Sequence, residues 1–212
     1  IAQATTQLAQ QGVKSWLAPA LTTPKMGISA GVGLAWAAGT TLLGTPVDLI
    51  PGRACAGLFR LPGLDLVYVV SFYGDTYCQE NTITWIDQIV HHCFQAGYPF
   101  LIGGDFNLDP NCLQDKLGAS PRIKHEIQVL APNTPTCTVK DSTSTIDFWV
   151  AGGGIYRQVK HVETGIAVPI KTHFAVRLTL LTEKNRSDPG QVWTRPGRGS
   201  ATAVVGPHRL YE

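Results

Sequence analysis

Charged residues are scarce in this chain of 212 amino acids. Asp, Glu, Lys and Arg make up 15% of it and apolar residues 44%, a balance that fits a globular α/β or β-rich protein and argues against wholesale disorder. Residues 1–182 carry 12 basic and 12 acidic side chains, so the net charge of +2 arises in residues 183–212, which carry 5 and 3. A neutral body argues against strong non-specific binding of nucleic acid and leaves a local basic groove open.

The sequence also lacks any Cys-x-x-Cys pair. Its five cysteines are widely spaced and odd in number: Cys55, Cys78, Cys93, Cys112 and Cys137. This distribution favours reduced intracellular thiols over a disulfide framework or a zinc site. No N-terminal signal segment is visible, and we predict an intracellular protein, with the nucleus as one candidate location.

One uncharged segment is long enough to cross a membrane. Residues 26–47 contain no charged side chain, and about 20 apolar residues suffice to span a bilayer as a helix. The segment also holds five glycines, three threonines and a serine, and its apolar residues alternate over 31–36. This composition favours two strands and a turn over a transmembrane helix.

The remaining pattern predicts alternating strands and helices. We predict helices over 2–11 and 81–96, and a short third helix that starts at Ser120-Pro121 and carries Ile123, Ile127 and Leu130. Predicted strands cover 14–20, 29–37, 53–61, 64–72, 99–104, 145–151 and 173–181. The strands at 29–37, 53–61 and 64–72 are expected to form an antiparallel meander. Together these elements predict one layered α/β domain over 1–182, followed by a flexible Pro/Gly/Arg-rich tail or linker over 183–212.

Three segments place a polar side chain at the end of an apolar strand. They are Gly-Asp-Phe-Asn at 104–107, Ser-Thr-Ile-Asp-Phe-Trp-Val at 144–150 and Lys-Thr-His-Phe-Ala-Val at 171–176. An unpaired carboxylate at Asp147 would be costly within its apolar strand, and His173 is the natural partner. Such a pair fixes the imidazole tautomer and raises the imidazole pKa, so that the ring can meet an anionic substrate oxygen. Asp105 could then activate a water that Asn107 orients, which gives a hydrolytic site without a Ser or Cys nucleophile.

The order and context of these three motifs resemble the endonuclease/exonuclease/phosphatase superfamily. This superfamily includes exonuclease III, deoxyribonuclease I, apurinic endonucleases, inositol phosphatases and the endonuclease domains of non-long-terminal-repeat retrotransposons. The resemblance extends over residues 27–181, because 31–35 match an early strand, 70–74 match a strand that ends in tyrosine, and Pro-Thr-Cys at 135–137 precedes the second motif.

The resemblance implies a four-layer α/β sandwich, in which two mostly antiparallel sheets pack face to face and helices lie outside. It implies hydrolysis of phosphate esters with Mg²⁺ or Mn²⁺ in a cleft at the strand ends, and nucleic acid as partner, with DNA favoured. By resemblance, Asp105 orients the attacking water and binds the metal, and Asn107 contacts the phosphate. His173, held by Asp147, stabilises the developing charge, and Tyr73 contacts phosphate.

The sequence also departs from the family pattern. It opens inside the helix that follows the family's first metal-binding strand, so that strand and its Glu are expected to be missing and the chain to be a piece of a longer polypeptide with further domains. Thr172 stands where the family has a metal-site Asp, and Thr76 replaces an Asn found in some members. Asp105 and Asn107 remain as the main oxygen ligands. We therefore expect weak metal binding and low activity from this chain.

Three functions stay open at this stage. The leading hypothesis is a metal-dependent nuclease-type domain. The second is a degenerate family member that binds nucleic acid or protein without catalysis, for which Thr172 is the best evidence. The third is a phosphatase that acts on inositol or lipid phosphates, against which the neutral body of the chain argues.

Overall fold

The computed structural model describes residues 2–22, 28–29, 31–119, 126–165 and 172–182. The predicted tail at 183–212 and the first residues of the predicted third helix, 120–125, lie outside these ranges. The three α-helices of the described residues are α1 (Ala2–Gln10), α2 (Gln79–Ala96) and α3 (Pro110–Gly118). No helix in the described ranges is long and apolar enough to cross a membrane.

Fourteen strands complete the described part of the chain, together with a short 3₁₀ helix at Ile155–Gln158. They are β1 (Lys14–Leu17), β2 (Leu21–Thr22), β3 (Ile28–Ser29), β4 (Gly33–Trp36), β5 (Thr41–Ile50), β6 (Ala54–Arg60), β7 (Leu66–Tyr73), β8 (Phe100–Asp105), β9 (Ile127–Leu130), β10 (Cys137–Val139), β11 (Ser142–Ser144), β12 (Asp147–Gly152), β13 (Val159–Thr164) and β14 (Val176–Leu180).

The centre of the molecule is a six-stranded sheet in the order β5-β6-β7-β8-β12-β9. Strands β7 and β8 are parallel, and α2 makes the crossover between them. All other neighbours in this sheet are antiparallel. The parallel pair and the antiparallel pair β8–β12 bring the ends of three strands to one edge of the sheet.

The two faces of this sheet bury separate hydrophobic clusters. One face packs against α2 and α3, and Phe72, Ile102 and Phe148 meet the helices there. The other face packs against two antiparallel hairpins, β1–β4 and β13–β14. Helix α1 contacts β1 on this second side. The chain therefore forms the layered α/β sandwich that the motifs predict, with a second sheet layer made of two separate hairpins.

The predicted helix after residue 120 is wrong where the structure describes it. Residues Ile127–Leu130 form β9, which pairs with β12 at the edge of the central sheet. Ile127 and Val129 pack on the helical face, whereas Leu130 packs on the opposite face. This alternation is the period of a strand, and the predicted helical spacing does not apply.

The predicted meander is also wrong in its first member. Strand β4 pairs with β1, and β5 takes its place next to β6 and β7. Gly44 and Pro46 give β5 the composition of a connection. An edge strand tolerates both residues, because the register shifts between Leu43 and Val47 and the ladder is interrupted there.

Helix α3 lies between the predicted strand at 99–104 and the predicted helix at Ser120-Pro121, where neither a helix nor a strand is predicted. Asp109 caps it, because its side chain accepts hydrogen bonds from the amides of Asn111 and Cys112. Pro110 occupies the first turn. An Asp-Pro pair is a recognisable helix start, and this signal could have predicted α3.

Candidate active site

Two acids and a tyrosine meet where three strands of the central sheet end. Asp105 is the last residue of β8, and the antiparallel register places it directly opposite Asp147, the first residue of β12. On its other side, Asp105 is in register with Tyr73, the last residue of β7. Directly opposite residues in an antiparallel pair project their side chains to the same face. The sheet therefore forces the two carboxylates into proximity.

Gly74 holds the turn after β8 in place. Its amide donates to the carbonyl oxygen of Asp105 at 2.7 Å. Its own carbonyl oxygen accepts from Asn107 Nδ2 at 3.3 Å and from Arg53 Nη1 at 3.1 Å. A Cβ at this position would lie 2.2 Å from the carbonyl oxygen of Phe106. Only glycine therefore lets the end of β7 approach the Asp105–Asn107 turn this closely.

The turn itself is stabilised locally. The amide of Asn107 donates to Asp105 Oδ1 at 2.9 Å, and Asn107 has a φ of 49°, a left-handed conformation that asparagine adopts more readily than most residues. Phe106 is fully buried between them and stacks on Phe148 with ring centroids 4.0 Å apart. The buried ring ties the turn to β12, which carries Asp147.

The predicted contact between Asp147 and His173 is present. His173 Nδ1 lies 3.0 Å from Asp147 Oδ2 and 3.2 Å from Oδ1. Thr136 joins the two segments, because its hydroxyl accepts from the amides of Ile146 and Asp147, and its carbonyl oxygen accepts from the amide of Phe174 at 2.7 Å. Asp147 and Thr136 are buried. The sequence did not show that the Thr136 hydroxyl binds the start of β12.

The other ring nitrogen of His173 faces a third group. Nε2 lies 4.0 Å from Asp105 Oδ2, and the His173 side chain is 24% exposed. Ligand atoms of Asp105, Asp147 and His173 all lie within 4.8 Å of one another. These three residues are called the active-site cluster below. The structure thus brings together three of the four predicted catalytic side chains. Asn107 adjoins them, because its backbone amide donates a hydrogen bond to Asp105 Oδ1.

Burial and mutual repulsion tune the charges of the cluster. Burial, and after it the nearby Asp147, raise the pKa of Asp105 to about 7, against the opposing effects of His173 and the Asn107 amide. The hydrogen bond to Asp147 raises the pKa of His173 above its ordinary value, burial works against it, and the two carboxylates add to it. Asp105 is therefore able to exchange a proton near neutral pH, and His173 is shifted towards its protonated form.

A cleft of about 430 Å³ with both polar and apolar walls opens next to Asn107. Its walls include Asn107 and Asp109 from the turn before α3, Gln79 at the start of α2, and Ser144 and Thr145 just before β12. None of the three cluster residues lines the cleft. Asn107 links the two, because its backbone amide donates a hydrogen bond to Asp105 Oδ1. Hydroxyl and amide groups alternate along these walls with the apolar side chains of Leu108, Pro135 and Ile146.

Tyr73 stands at the edge of the site beneath a cation. The guanidinium carbon of Arg53 lies 5.1 Å from the centre of the Tyr73 ring and 5.4 Å from that of Trp85. Arg53 also donates to the carbonyl oxygen of Gly74, as described above. It was not predicted from the sequence, where a lone arginine before a strand carries no distinctive signal.

Thr172 precedes His173 in an unusual conformation. Its φ is 76°, it is exposed, and its carbonyl oxygen accepts from the amide of Thr138 at 2.7 Å. Thr76, the other departure from the family pattern, is exposed in the loop between β7 and α2. The side chains of both residues are exposed, so neither departure disturbs the packing of the core.

The oxygen atoms of the site suit a divalent cation in part. Both carboxylate oxygens of Asp147 lie within hydrogen-bonding distance of His173 Nδ1, and Asp105 Oδ1 accepts from the Asn107 amide. Asp105 Oδ2 and the side-chain carbonyl of Asn107 are then the donors that suit Mg²⁺ or Mn²⁺, which are often bound by one or two protein oxygens plus water and substrate phosphate. Among the described residues, the donor set fits such an ion with few protein ligands.

Comparison with solved structures identifies the class of fold. No protein-family model matches the sequence, and a comparison with curated proteins finds no match. Solved structures do match, and they are endonuclease/exonuclease/phosphatase proteins of the deoxyribonuclease I-like type. The chain thus has the fold that the motifs predict.

Three of these structures show the extent of the similarity. The endonuclease domain of TRAS1, a telomere-specific non-LTR retrotransposon, is 12% identical with a TM-score of 0.60, and the match covers 85% of this chain and 93% of that one. An endonuclease/exonuclease/phosphatase protein from Bacteroides vulgatus is 14% identical with a TM-score of 0.60, and the match covers 82% of this chain and 78% of that protein. The human Nocturnin catalytic domain is 14% identical with a TM-score of 0.52, and covers 82% and 75%.

Proposed function

We propose that the protein is a phosphodiester hydrolase of the nuclease type that works with a divalent cation. The observation that carries this proposal is the Asp147–His173 pair, whose outward ring nitrogen lies 4.0 Å from the buried Asp105. The similar structures are nuclease- and phosphatase-type hydrolases, which supports the general class of reaction.

His173 is the residue that meets the phosphate. Asp147 accepts from Nδ1, so the ring is held in one orientation and its Nε2 edge points at the substrate position. The hydrogen bond to Asp147 raises the pKa of His173 above its ordinary value, which shifts the ring towards the imidazolium. An imidazolium donates a hydrogen bond to the phosphate oxygen on which charge develops, and this interaction strengthens in the transition state.

Asp105 is the base that orients and deprotonates the attacking water. A general base works best when its pKa lies near the working pH, and with no cation bound that of Asp105 is raised to about 7. A cation on Asp105 would lower this pKa, and water bound to the cation would then lose its proton more readily. Asp105 and Asn107 would also hold Mg²⁺ or Mn²⁺, which when bound supplies charge that polarises the phosphoryl oxygen. Few protein oxygens are available for the ion, and we therefore expect weak binding and slow turnover.

Nucleic acid is the proposed substrate, with DNA favoured. One of the similar structures is an endonuclease domain of a retrotransposon, which supports this choice. The nearest wall of the cleft carries amide and hydroxyl groups and the acidic Asp109. Such a wall suits a chain of single phosphodiesters better than a ligand with several clustered phosphates, and this argues against an inositol phosphate substrate.

A degenerate, non-catalytic protein is the second candidate. The observation that favours it is Thr172, which replaces an acid of the family's motif at the residue before His173. Such a protein would keep the fold and bind nucleic acid without cleaving it.

Nicking of supercoiled plasmid in Mg²⁺ and in Mn²⁺ separates the candidates. We expect slow, cation-dependent nicking that falls roughly 10²- to 10⁴-fold in His173→Ala, which removes a positioned acid–base group. His161→Ala is the matched control, because His161 is an exposed histidine on β13, outside the active-site cluster. Retention of full activity in His173→Ala would refute the proposed site. Binding of DNA without nicking in either metal would favour the degenerate protein.

A further inference from the structure

A cysteine thiol lies beside the reactive edge of His173. Cys137 Sγ is 3.7 Å from His173 Nε2, and Cys137 is buried. We propose that Cys137, His173 and Asp105 form a binding site for a zinc-class cation, and that such a cation blocks the hydrolytic site. Neither the fold nor the proposed reaction requires this thiol.

The tautomer of His173 leaves Nε2 free of hydrogen and able to bind a metal. Asp147, as a carboxylate, only accepts hydrogen bonds, so His173 Nδ1 at 3.0 Å carries the hydrogen. In the neutral ring the lone pair is then on Nε2, which faces Cys137 and Asp105. A metal-bound histidine typically donates its other N–H to a carboxylate in this way, which orients the ring and makes it a better ligand.

The two distances that involve Nε2 are close to those around a tetrahedral ion. Sγ lies 3.7 Å away and Asp105 Oδ2 lies 4.0 Å away. Bond lengths of about 2.3 Å to sulfur and about 2.0 to 2.2 Å to nitrogen and oxygen separate tetrahedral donors by roughly 3.3 to 3.6 Å. Both neighbours therefore need to approach Nε2 by only about 0.1 to 0.7 Å. The fourth position is open to water or an anion.

The backbone holds the sulfur and the imidazole in this relation. Cys137 and His173 face each other in an isolated antiparallel bridge. Flanking hydrogen bonds lie on both sides, from the amide of Thr138 to the carbonyl oxygen of Thr172 and from the amide of Phe174 to that of Thr136, each at 2.7 Å. Two short strands of backbone therefore present the thiol and the ring together, and no loop movement is needed to bring them into contact.

The donor types decide the class of metal. A thiolate with an imidazole and one carboxylate suits zinc-class ions, whereas Mg²⁺ and Ca²⁺ prefer oxygen alone. The thiol releases its proton to solvent on coordination. An ion bound here occupies His173 Nε2 and Asp105 Oδ2, the two atoms that the proposed reaction needs. Inhibition by zinc thus depends on the proposed function, whereas binding of zinc does not.

Titration with Co²⁺, a spectroscopic substitute for zinc, tests the site without any activity assay. We expect one equivalent to produce the ligand-to-metal charge-transfer band of a cobalt–thiolate bond and the visible bands of a tetrahedral ion, and Zn²⁺ to displace it. The charge-transfer band disappears in Cys137→Ser and in His173→Ala. It persists in Cys112→Ser, the matched control, because Cys112 lies on α3. Asp147→Asn weakens binding roughly 10- to 100-fold.

Two results overturn the proposal: no charge-transfer band in the wild-type protein, or an unchanged band in a folded Cys137→Ser protein. X-ray absorption at the zinc edge of the wild-type protein gives the same decision without a variant, since one sulfur at about 2.3 Å is expected and a shell of nitrogen and oxygen alone contradicts it.

Zinc inhibition is measured separately. Micromolar Zn²⁺ should suppress Mg²⁺-dependent nicking by the wild-type protein by a larger factor than it suppresses nicking by Cys137→Ser. Equal suppression of the two overturns the inhibitory role. Absence of nicking in every protein contradicts the proposed function but leaves the cobalt result decisive for the site.

Discussion

Thr172 has a strained backbone and stands where the resembling family has an acid, so substitutions at this position test the strain and the role of the acid separately. Its φ of 76° lies in the left-handed region, which is rare for β-branched residues and much more accessible to Asn and Asp. Such conformations cost of the order of 1 to 3 kcal/mol. Thr172 is exposed, so its replacement opens no cavity. We expect Thr172→Asn and Thr172→Asp each to raise the free energy of unfolding by about 1 kcal/mol.

Thermal unfolding measures the backbone contribution. In a protein of this size, 1 kcal/mol raises Tm by about 2 to 4 °C, and chemical denaturation gives the free energy directly. The Asn variant is the matched control, because it relieves the same strain without adding a charge. A Tm for Thr172→Asn equal to or below that of the wild-type protein would refute the argument from strain.

The difference between the two variants isolates the carboxylate. By resemblance, an acid at this position belongs to the metal site. We therefore expect calorimetry to show tighter Mg²⁺ binding by Thr172→Asp than by Thr172→Asn, and plasmid nicking to rise in the same order. Equal Mg²⁺ affinities in the two variants would show that an acid at position 172 does not reach the ion.

Three further predictions follow from other contacts. The pKa of Asp105 is about 7 in the folded protein against an ordinary value of 3.8, so the stability of the fold falls as pH rises between these values. Asp105→Asn should therefore raise the free energy of unfolding at pH 8 and hardly change it at pH 4. An equal effect at the two pH values would contradict a raised pKa. Gly74→Ala puts a methyl group 2.2 Å from a backbone carbonyl oxygen and should lower Tm and nicking together, whereas Gly118→Ala, with open space around it, should do neither. Arg53→Met removes two ring contacts and a hydrogen bond and should cost about 1 to 2 kcal/mol in urea denaturation, with a much smaller cost for the exposed Arg157→Met.

Much of the fold was predictable because its strongest local patterns agree with its packing. Helix α2 shows a clear apolar face and ends at Gly97, whose φ of 74° needs the freedom of glycine. Strands β6, β7, β8 and β12 are continuous apolar runs that are buried on both faces of the sheet. Burial on both sides leaves such runs little alternative to a central strand.

The edges of the sheet were not predictable in the same way. Strands β5 and β9 lie at its two ends, where one side of each ladder is free and composition is less constrained. Gly44 and Pro46 give β5 the composition of a loop. The four residues of β9 fit the period of a helix as well as that of a strand. Which hairpin pairs with which strand also depends on contacts distant in the sequence, and propensity carries no information about those.

The sequence predicted which side chains meet at the candidate site, but it did not predict the residues that hold them in place. Motif order brought Asp105, Asp147 and His173 together before any geometry was known. Thr136 and Arg53 act through hydrogen bonds to backbone groups, and a backbone partner leaves no trace in the spacing of side chains. These supports therefore become visible only in three dimensions.

The paired glycines before Asp105 show that core packing determines where the acids lie. A Cβ at Gly103 would lie 2.5 Å from the Trp149 ring, and a Cβ at Gly104 would lie 1.8 Å from the carbonyl oxygen of Phe72. The two glycines look like turn residues, but they lie within β8 and leave room for the Trp149 ring of β12 and the Phe72 backbone of β7. Because side chains alternate along a strand, a slip of one residue between β8 and β12 would turn Asp147 to the opposite face. The buried Trp149 fits over Gly103 in this register, so the packing of an indole ring helps to fix where the two carboxylates meet.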